Sequence, residues 1–476
     1  MRGRTKILFI LCIAGFITGL FLGGAFAVSI GDNFEYSGYL KTEVWVKTNN
    51  DNSHQFLSSF KNTFDLEAQY KISNDWVFFV HPRYFYDFAY SIRDDIFDKN
   101  QVKMGTTQRT EWLRDCYLDY TSDALDVRLG KQQVVWGQAD GLPFLDRVMP
   151  FDLTKYWLPD FADIRIPLWM VKIEYSPVLN STLQFLFIPD FEASRSTPAN
   201  GTFAFKAAND FDAVRGIMEA NGGSMETSIY RPSSKLKNSR VGLRWRSMLG
   251  DIDYTLNWLY GYSTSAYTYS DGSTITGGLI PALGMPKGDY YYSRRHKLMQ
   301  IMGFSFNKSI TNPGPLEGLT IRGEFAYLHN EPTYYGTAGH RNYTEKSDKY
   351  TYVLGFDKYY FTNWLFSLQF AQFIHNSPTF KGKHVLNSYT YGLMDKVESY
   401  LTLKIATDFK HERIKPEVLI IYGDDNDGRI SFKTSYELRD NVWLALGYHH
   451  FWGPAYGSNG QFRNNDQIYA SVKFTF

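Results

Sequence analysis

The sequence predicts an all-β fold, a transmembrane antiparallel β-barrel of about 18 strands with one loop folded into its lumen, and three observations predict it. Period-two alternation of apolar and polar residues recurs along the whole chain. The connections between these segments alternate between short turns and long loops, as on the two rims of an outer-membrane barrel. The last segment, Gln467 to Phe476, alternates strictly and ends on an aromatic residue. Composition excludes the main rivals. With 21% charged residues and a mean hydropathy of −0.33 the chain is too polar for a helical membrane bundle. With 17% aromatic residues and only 17 Pro among 476 residues it is not disordered. A net charge of +1 leaves no global field for nucleic acid, so no nucleic-acid partner is expected.

Taken in order, residues 1–27 read as a secretory signal: Arg2, Arg4 and Lys6, an apolar run to Leu22, and Ala25-Phe26-Ala27 as the cleavage site. Cys12 lies in that leader, so Cys116 is left as a lone thiol and a small wall residue, with no disulfide. Residues 28–476 form the barrel as one domain. Strands are predicted at 34–48, 57–72, 76–88, 110–121, 125–137, 168–175, 182–189, 240–248, 252–262, 297–308, 319–328, 349–357, 364–374, 397–408, 414–423, 428–438, 442–451 and 466–476. Short turns such as Ser73-Asn74-Asp75, Gly250-Asp251 and Arg439-Asp440-Asn441 fall on one rim, the periplasmic one. Long loops at 89–109, 138–167, 190–239, 263–296, 329–348 and 375–396 fall on the other. Gly130 is a candidate bulge that leaves the side of Lys131 open. A helix from Asn209 to Ala220, capped by Asn209 and stopped by Gly222-Gly223, is predicted inside the third long loop. Phe474 and Phe476 end the final strand as an assembly signal.

The stretch 138–167, QADGLPFLDRVMPFDLTKYWLPDFADIRIP, is the most informative. About half of it is apolar, too greasy to stand free in water. Its many charges exclude lipid. It belongs inside the barrel as a constriction, because a barrel of this size is otherwise wide enough for an aqueous channel; a cap over the outer rim is the other place for it. The candidate pore-lining or constriction residues are Arg128, Gln132, Asp140, Asp146, Arg147, Asp152, Asp163 and Arg165. Arg83, Arg240, Arg244, Arg246 and Arg322 fall on polar phases and are candidates for a basic, anion-favouring track.

No enzyme, cofactor or metal is expected. The His residues lack zinc spacing, and His449 and His450 must face opposite sides of a strand. Asp424-Asp425-Asn426-Asp427-Gly428 is out of register for a calcium loop and reads as a tight hairpin.

Residues 113–175, with LRDCYLDY, DVRLGKQQVVWGQADG and MPFDLTKYWLPDFADIRIPLWMVKIEY, resemble a proteobacterial outer-membrane porin-like family of unknown function, and more distantly the alginate-export porins. The resemblance implies a porin-like passage, in some relatives the exit for lipidic or polymeric cargo delivered by an inner-membrane pump. The functional expectation is an outer-membrane channel for small polar or anionic solutes, or the outer exit of an export system. The rival is a plugged, non-conducting barrel acting as scaffold, adhesin or receptor through its long loops. Expected partners are outer-membrane lipid, the barrel-assembly machinery, small-molecule or exported cargo, and an inner-membrane efflux partner.

Overall fold

The computed structural model describes residues 28–31, 33–48, 57–92, 112–233, 235–337, 340–376, 384–386, 390, 393 and 395–476. The leader expected at 1–27 and much of the loops expected at 89–109 and 375–396 lie outside the described residues. Eighteen antiparallel strands close into one barrel. They are β1 Phe34–Lys47, β2 Leu57–Lys71, β3 Trp76–Asp87, β4 Leu113–Thr121, β5 Leu125–Gln132, β6 Leu168–Val178, β7 Ser181–Ile188, β8 Arg240–Leu249 and β9 Ile252–Tyr262. The second half comprises β10 Leu298–Ser309, β11 Thr320–Thr337, β12 His340–Tyr360, β13 Trp364–Asn376, β14 Val397–Ala406, β15 Ile414–Gly423, β16 Asp427–Arg439, β17 Val442–Trp452 and β18 Gln467–Thr475. Each pairs with the next, and β18 pairs with β1 from Tyr39↔Thr475 to Lys47↔Gln467. Closure removes the free edges that a membrane does not tolerate. Phe476 finishes the seam: it exchanges two backbone hydrogen bonds with Gly38, and its ring covers that glycine, where a Cβ would meet it at 2.8 Å.

Alternation assigns the two faces. On β13, Leu368 and Phe370 are 42% and 41% exposed while Ser367, Gln369 and Ala371 between and beside them are buried. Apolar out and polar in inverts the pattern of a water-soluble sheet and suits strands whose outer face meets hydrocarbon. His449 and His450 obey the same rule, the first buried inside against Trp45 and Tyr469, the second outward on Asp466 at 2.8 Å. Tight connections on the rim that holds both chain ends use left-handed residues, Asn180, Gly250 and Asn441, as short hairpins require.

The structure departs from the predicted elements in five places, one of them the three-stranded sheet within the loops expected at 190–239 and 263–296. β5 ends at Gln132, not 137, because Val134 and Trp136 turn into the lumen, where they are buried. Gly130 is not a bulge: the register runs unbroken through it on both sides, and its role is close approach, since a Cβ would lie 2.2 Å from the Cys116 carbonyl. Lys131 is buried and donates to the Leu113 carbonyl at 2.7 Å. The loop expected at 329–348 is a hairpin, with β11 and β12 running on to Thr337 and from His340 after a register shift at left-handed Asn330. The helix begins at Lys206, so Asn209 sits in its first turn and its side chain accepts the Asn200 N–H at 2.7 Å.

That helix packs on a three-stranded sheet, Ser224–Tyr230, Tyr267–Ile280 and Met285–Arg295, through Met218, Met225 and Ile280. Helix and sheet together form a cap at the long-loop rim. The turn at 424–426 is tight, as predicted, with Asp425 and Asn426 left-handed.

Candidate pore and constriction

After Gln132 the chain leaves the wall and crosses the lumen before rejoining it at Leu168. Its first half is packed apolar against the wall. Trp136 lies over Gly242, where a Cβ would meet the ring at 2.8 Å, and donates to Gln184 at 2.7 Å. Leu145, Val148 and Met149 form one buried cluster with Leu168 and Met170 of β6, Leu186 and Ile188 of β7, Met299 and Ile301 of β10 and Leu328 of β11. Phe144 stacks on Phe373 of β13 at 5.1 Å. Polar anchors complete the seam: the Glu324 carboxylate accepts the backbone N–H groups of Gln138 and Leu145, and Arg322 binds the Asp140 carboxylate, which also accepts from Gln369 at 2.9 Å.

The second half meets the wall mainly through charge. Lys155 reaches Glu43 of β1 at 2.9 Å, Asp160 reaches Lys433 of β16 at 3.1 Å, and Asp163 reaches Arg83 of β3 at 2.9 Å. Arg114 donates to the Ala162 carbonyl. Burial opposes ionisation of Asp163, but the Arg83 and Arg114 guanidiniums outweigh it and hold its carboxyl below the usual range. Asp146 goes the other way: burial pushes it up, and two hydrogen bonds from Arg165, at 2.6 and 2.8 Å and both to Oδ2, offset this only in part. An aromatic patch, Phe151, Leu153 and Tyr156, packs on Phe203 and Phe205 before the cap helix and on Phe451 and Phe462.

The predicted residues therefore separate. Asp140, Asp146, Arg147, Asp152, Asp163 and Arg165 lie on the intraluminal segment, and Arg83, Arg240 and Arg322 on the wall touch it. Arg240 holds the Val148 and Arg147 carbonyls at 2.6 and 3.0 Å. Arg128, 29% exposed at its side chain, is bound to Asp119 at 2.6 and 2.7 Å and stacked on Tyr117, and Gln132 is wholly buried, donating to the Met170 carbonyl at 3.3 Å. Arg246 pairs with Asp253, and among the described residues Arg244 donates to the Val135 carbonyl at 3.3 Å. Glu43, Lys433 and Arg429 are lumen residues that the sequence reading missed. Their strand phase marked them as inward, but nothing local marked them as opposite this segment.

Among the described residues, Asp65, Glu67 and His81 are the one group close enough together to hold a metal ion. His81 already engages Asp65 at 3.0 Å and Asp115 at 3.2 Å through its two ring nitrogens, and Arg83 also binds Asp65. The group is complete as a hydrogen-bonded network.

Two cavities flank the intraluminal segment. One, about 490 Å³, adjoins β1–β3 and β16–β18 and is bordered by Lys155, Asp163 and Arg165. The other, about 950 Å³, lies under the cap against β9–β15. Trp157, Arg195 and Arg429 border both.

A family model described as "Protein of unknown function (DUF1302)" matches residues 46–476. No curated protein matches the chain by sequence. Among solved structures, Acinetobacter baumannii OccAB3 is similar at a TM-score of 0.51 and 11% identity, covering 94% of this chain and 100% of that one. Acinetobacter baumannii OccAB4 matches at 0.51 and 10%, covering 93% and 98%. A BenF-like porin from Pseudomonas fluorescens Pf-5 matches at 0.50 and 11%, covering 94% and 98%. The chain shares the porin fold.

Proposed function

The chain belongs to the DUF1302 family, and we propose that it is an integral outer-membrane channel that passes small polar or anionic solutes, or forms the outer exit of an export system. The observation that carries this reading is the segment 133–167 lying across a closed barrel with a cavity on each side, an arrangement of constriction rather than solid filling. In this reading Asp163, Lys155 and Arg165 border the passage on one side, and Arg147 borders it on the other. Lipid surrounds the apolar belt, the assembly machinery reads Phe474 and Phe476, and an inner-membrane partner delivers cargo if the flow is outward. The distant likeness to alginate-export porins belongs to the export arm of the proposal.

The cap favours a second reading, a barrel closed by its own loops that acts as scaffold, adhesin or receptor. Its helix and sheet project outer surface at Ile229, Tyr230 and Leu279, each more than half exposed. Planar-bilayer recording of the refolded protein separates the two. Steady current that rises when residues 142–164 are deleted supports the channel. Silence in both forms supports the closed barrel.

A further inference from the structure

We propose that Arg429 anchors the carboxylate of a small organic anion whose apolar body lies along the wall of the larger cavity. The proposal rests on the channel reading and names the class of solute it would select.

Arg429 points inward from β16 at only 2% exposure, and its Nε and Nη1 have no hydrogen-bond partner among the described residues. A buried guanidinium without an anion is costly, and proteins normally pair it. The carboxylate two residues earlier on the same face, Asp427, is engaged elsewhere: it accepts the backbone N–H groups of Asn459 and Gly460 at 3.0 and 2.6 Å and the Asn459 amide at 3.1 Å. On the flanking strands Arg429 faces Ile421 and Phe451, both 1% exposed, and the Tyr156 ring lies 5.3 Å from its guanidinium carbon. The cation is thus held in place by apolar and aromatic groups and left without a counter-charge at the border of the two cavities.

The surroundings specify the missing partner. Arg147, a second cation bordering the same cavity, makes one side-chain hydrogen bond among the described residues, to the Phe144 carbonyl at 3.4 Å. Of the three carboxylates there, Asp212 is bound by Arg215, Glu331 lies 4.0 Å from Lys349 and Glu398 lies 3.8 Å from His375. The guanidinium fork matches a carboxylate geometrically. The rest of the wall, with Leu142, Pro143, Trp157 and Phe211, offers partly exposed apolar surface that an inorganic ion would not use.

Titration calorimetry on the detergent-solubilised full barrel tests this with benzoate and octanoate as flat and extended carboxylates, benzyl alcohol and octanol as neutral counterparts, and inorganic phosphate. Saturable binding of either carboxylate, at least about tenfold weaker in Arg429→Gln, is expected, since a charge-assisted hydrogen bond of this kind is worth about a decade in affinity or more. Which carboxylate binds identifies the shape of the body. Arg429→Met should lose binding yet unfold at the same or a higher temperature, because it removes an uncompensated buried charge; a residue with a merely structural role would destabilise. Equal binding of the alcohols, displacement by phosphate at equal concentration, or unchanged affinity in Arg429→Gln overturns the proposal. Bilayer current on the same preparation keeps the two readings apart. Current without Arg429-dependent binding removes the site and leaves the channel, whereas Arg429-dependent binding without current removes the channel and leaves the site.

Discussion

The two halves of the intraluminal segment are attached to the same barrel by different physics. Residues 134–149 are buried in an apolar cluster shared with β6, β7, β10 and β11, with Leu145, Val148 and Met149 at 1% exposure or less. Residues 155–163 reach β1, β3 and β16 through ion pairs, two with carboxylates open to the lumen, Asp160 at 70% side-chain exposure and Asp163 at 45%, and one, Lys155–Glu43, largely buried, while Tyr156 adds one buried aromatic contact. Apolar burial is insensitive to salt and pH, whereas exposed ion pairs are weak and screened. Under the channel reading the first half acts as a weld and the second as a latch, and widening of the passage is expected on the latch side.

The largest expected effect is at the weld. Leu145→Ala removes a side chain packed against Gly303, where a glycine Cβ would already sit 2.4 Å from Leu145, and should destabilise the barrel by about 2–5 kcal/mol in urea unfolding. A loss no larger than that of a latch variant would erase the distinction. Next comes Glu324→Gln. It removes the charge that accepts the Gln138 and Leu145 N–H groups and should cost about 1.5–3 kcal/mol, with both amides losing hydrogen-exchange protection while Asp163 stays paired.

How far this arrangement was legible in the sequence differs between wall and lumen. All eighteen strands were readable, because an apolar outer face and a polar inner face impose period two on each of them, as in Phe64 to Ile72 or Ile430 to Leu438. The segment 138–167 was readable as intraluminal from its mixture of grease and charge. What it touches was not. Glu43 and Lys155 are 112 positions apart, and Gln138 and Glu324 are 186 apart, so only the closed geometry brings them together. Arg128 and Gln132 looked like pore residues because phase reports which side a residue faces, not whether a neighbour such as Asp119 already engages it. The hairpin of β11 and β12 escaped because strand pairing continues past a single left-handed residue, Asn330.

At the latch, stability should barely change while current does. Lys433→Met, which frees Asp160, should alter unfolding by less than about 1 kcal/mol, since the pair is exposed, yet raise single-channel conductance under the channel reading. Equal conductance in the two proteins would mean that this contact does not narrow the passage.

Acid supplies the smallest and most selective perturbation. Asp163 is held below its ordinary value, with burial outweighed by Arg83 and Arg114, so its stabilisation is complete above the unfolded aspartate value of about 3.9 and fades as pH falls through the lowered one. Asp146 is raised by burial, so the cost of its charge is present at neutral pH and is relieved as pH falls through its higher value. The two signs are opposite and fall on opposite halves: acidification first eases the weld and only later loosens the latch. Conductance should hold steady until the pH drops below about 4 and then rise. In Asp163→Asn that late rise should be absent, because the tie to Arg83 is already weakened at neutral pH and has no charge left to titrate. A rise that persists unchanged in Asp163→Asn would place the acid-sensitive contact on the weld and reverse the assignment of the moving half.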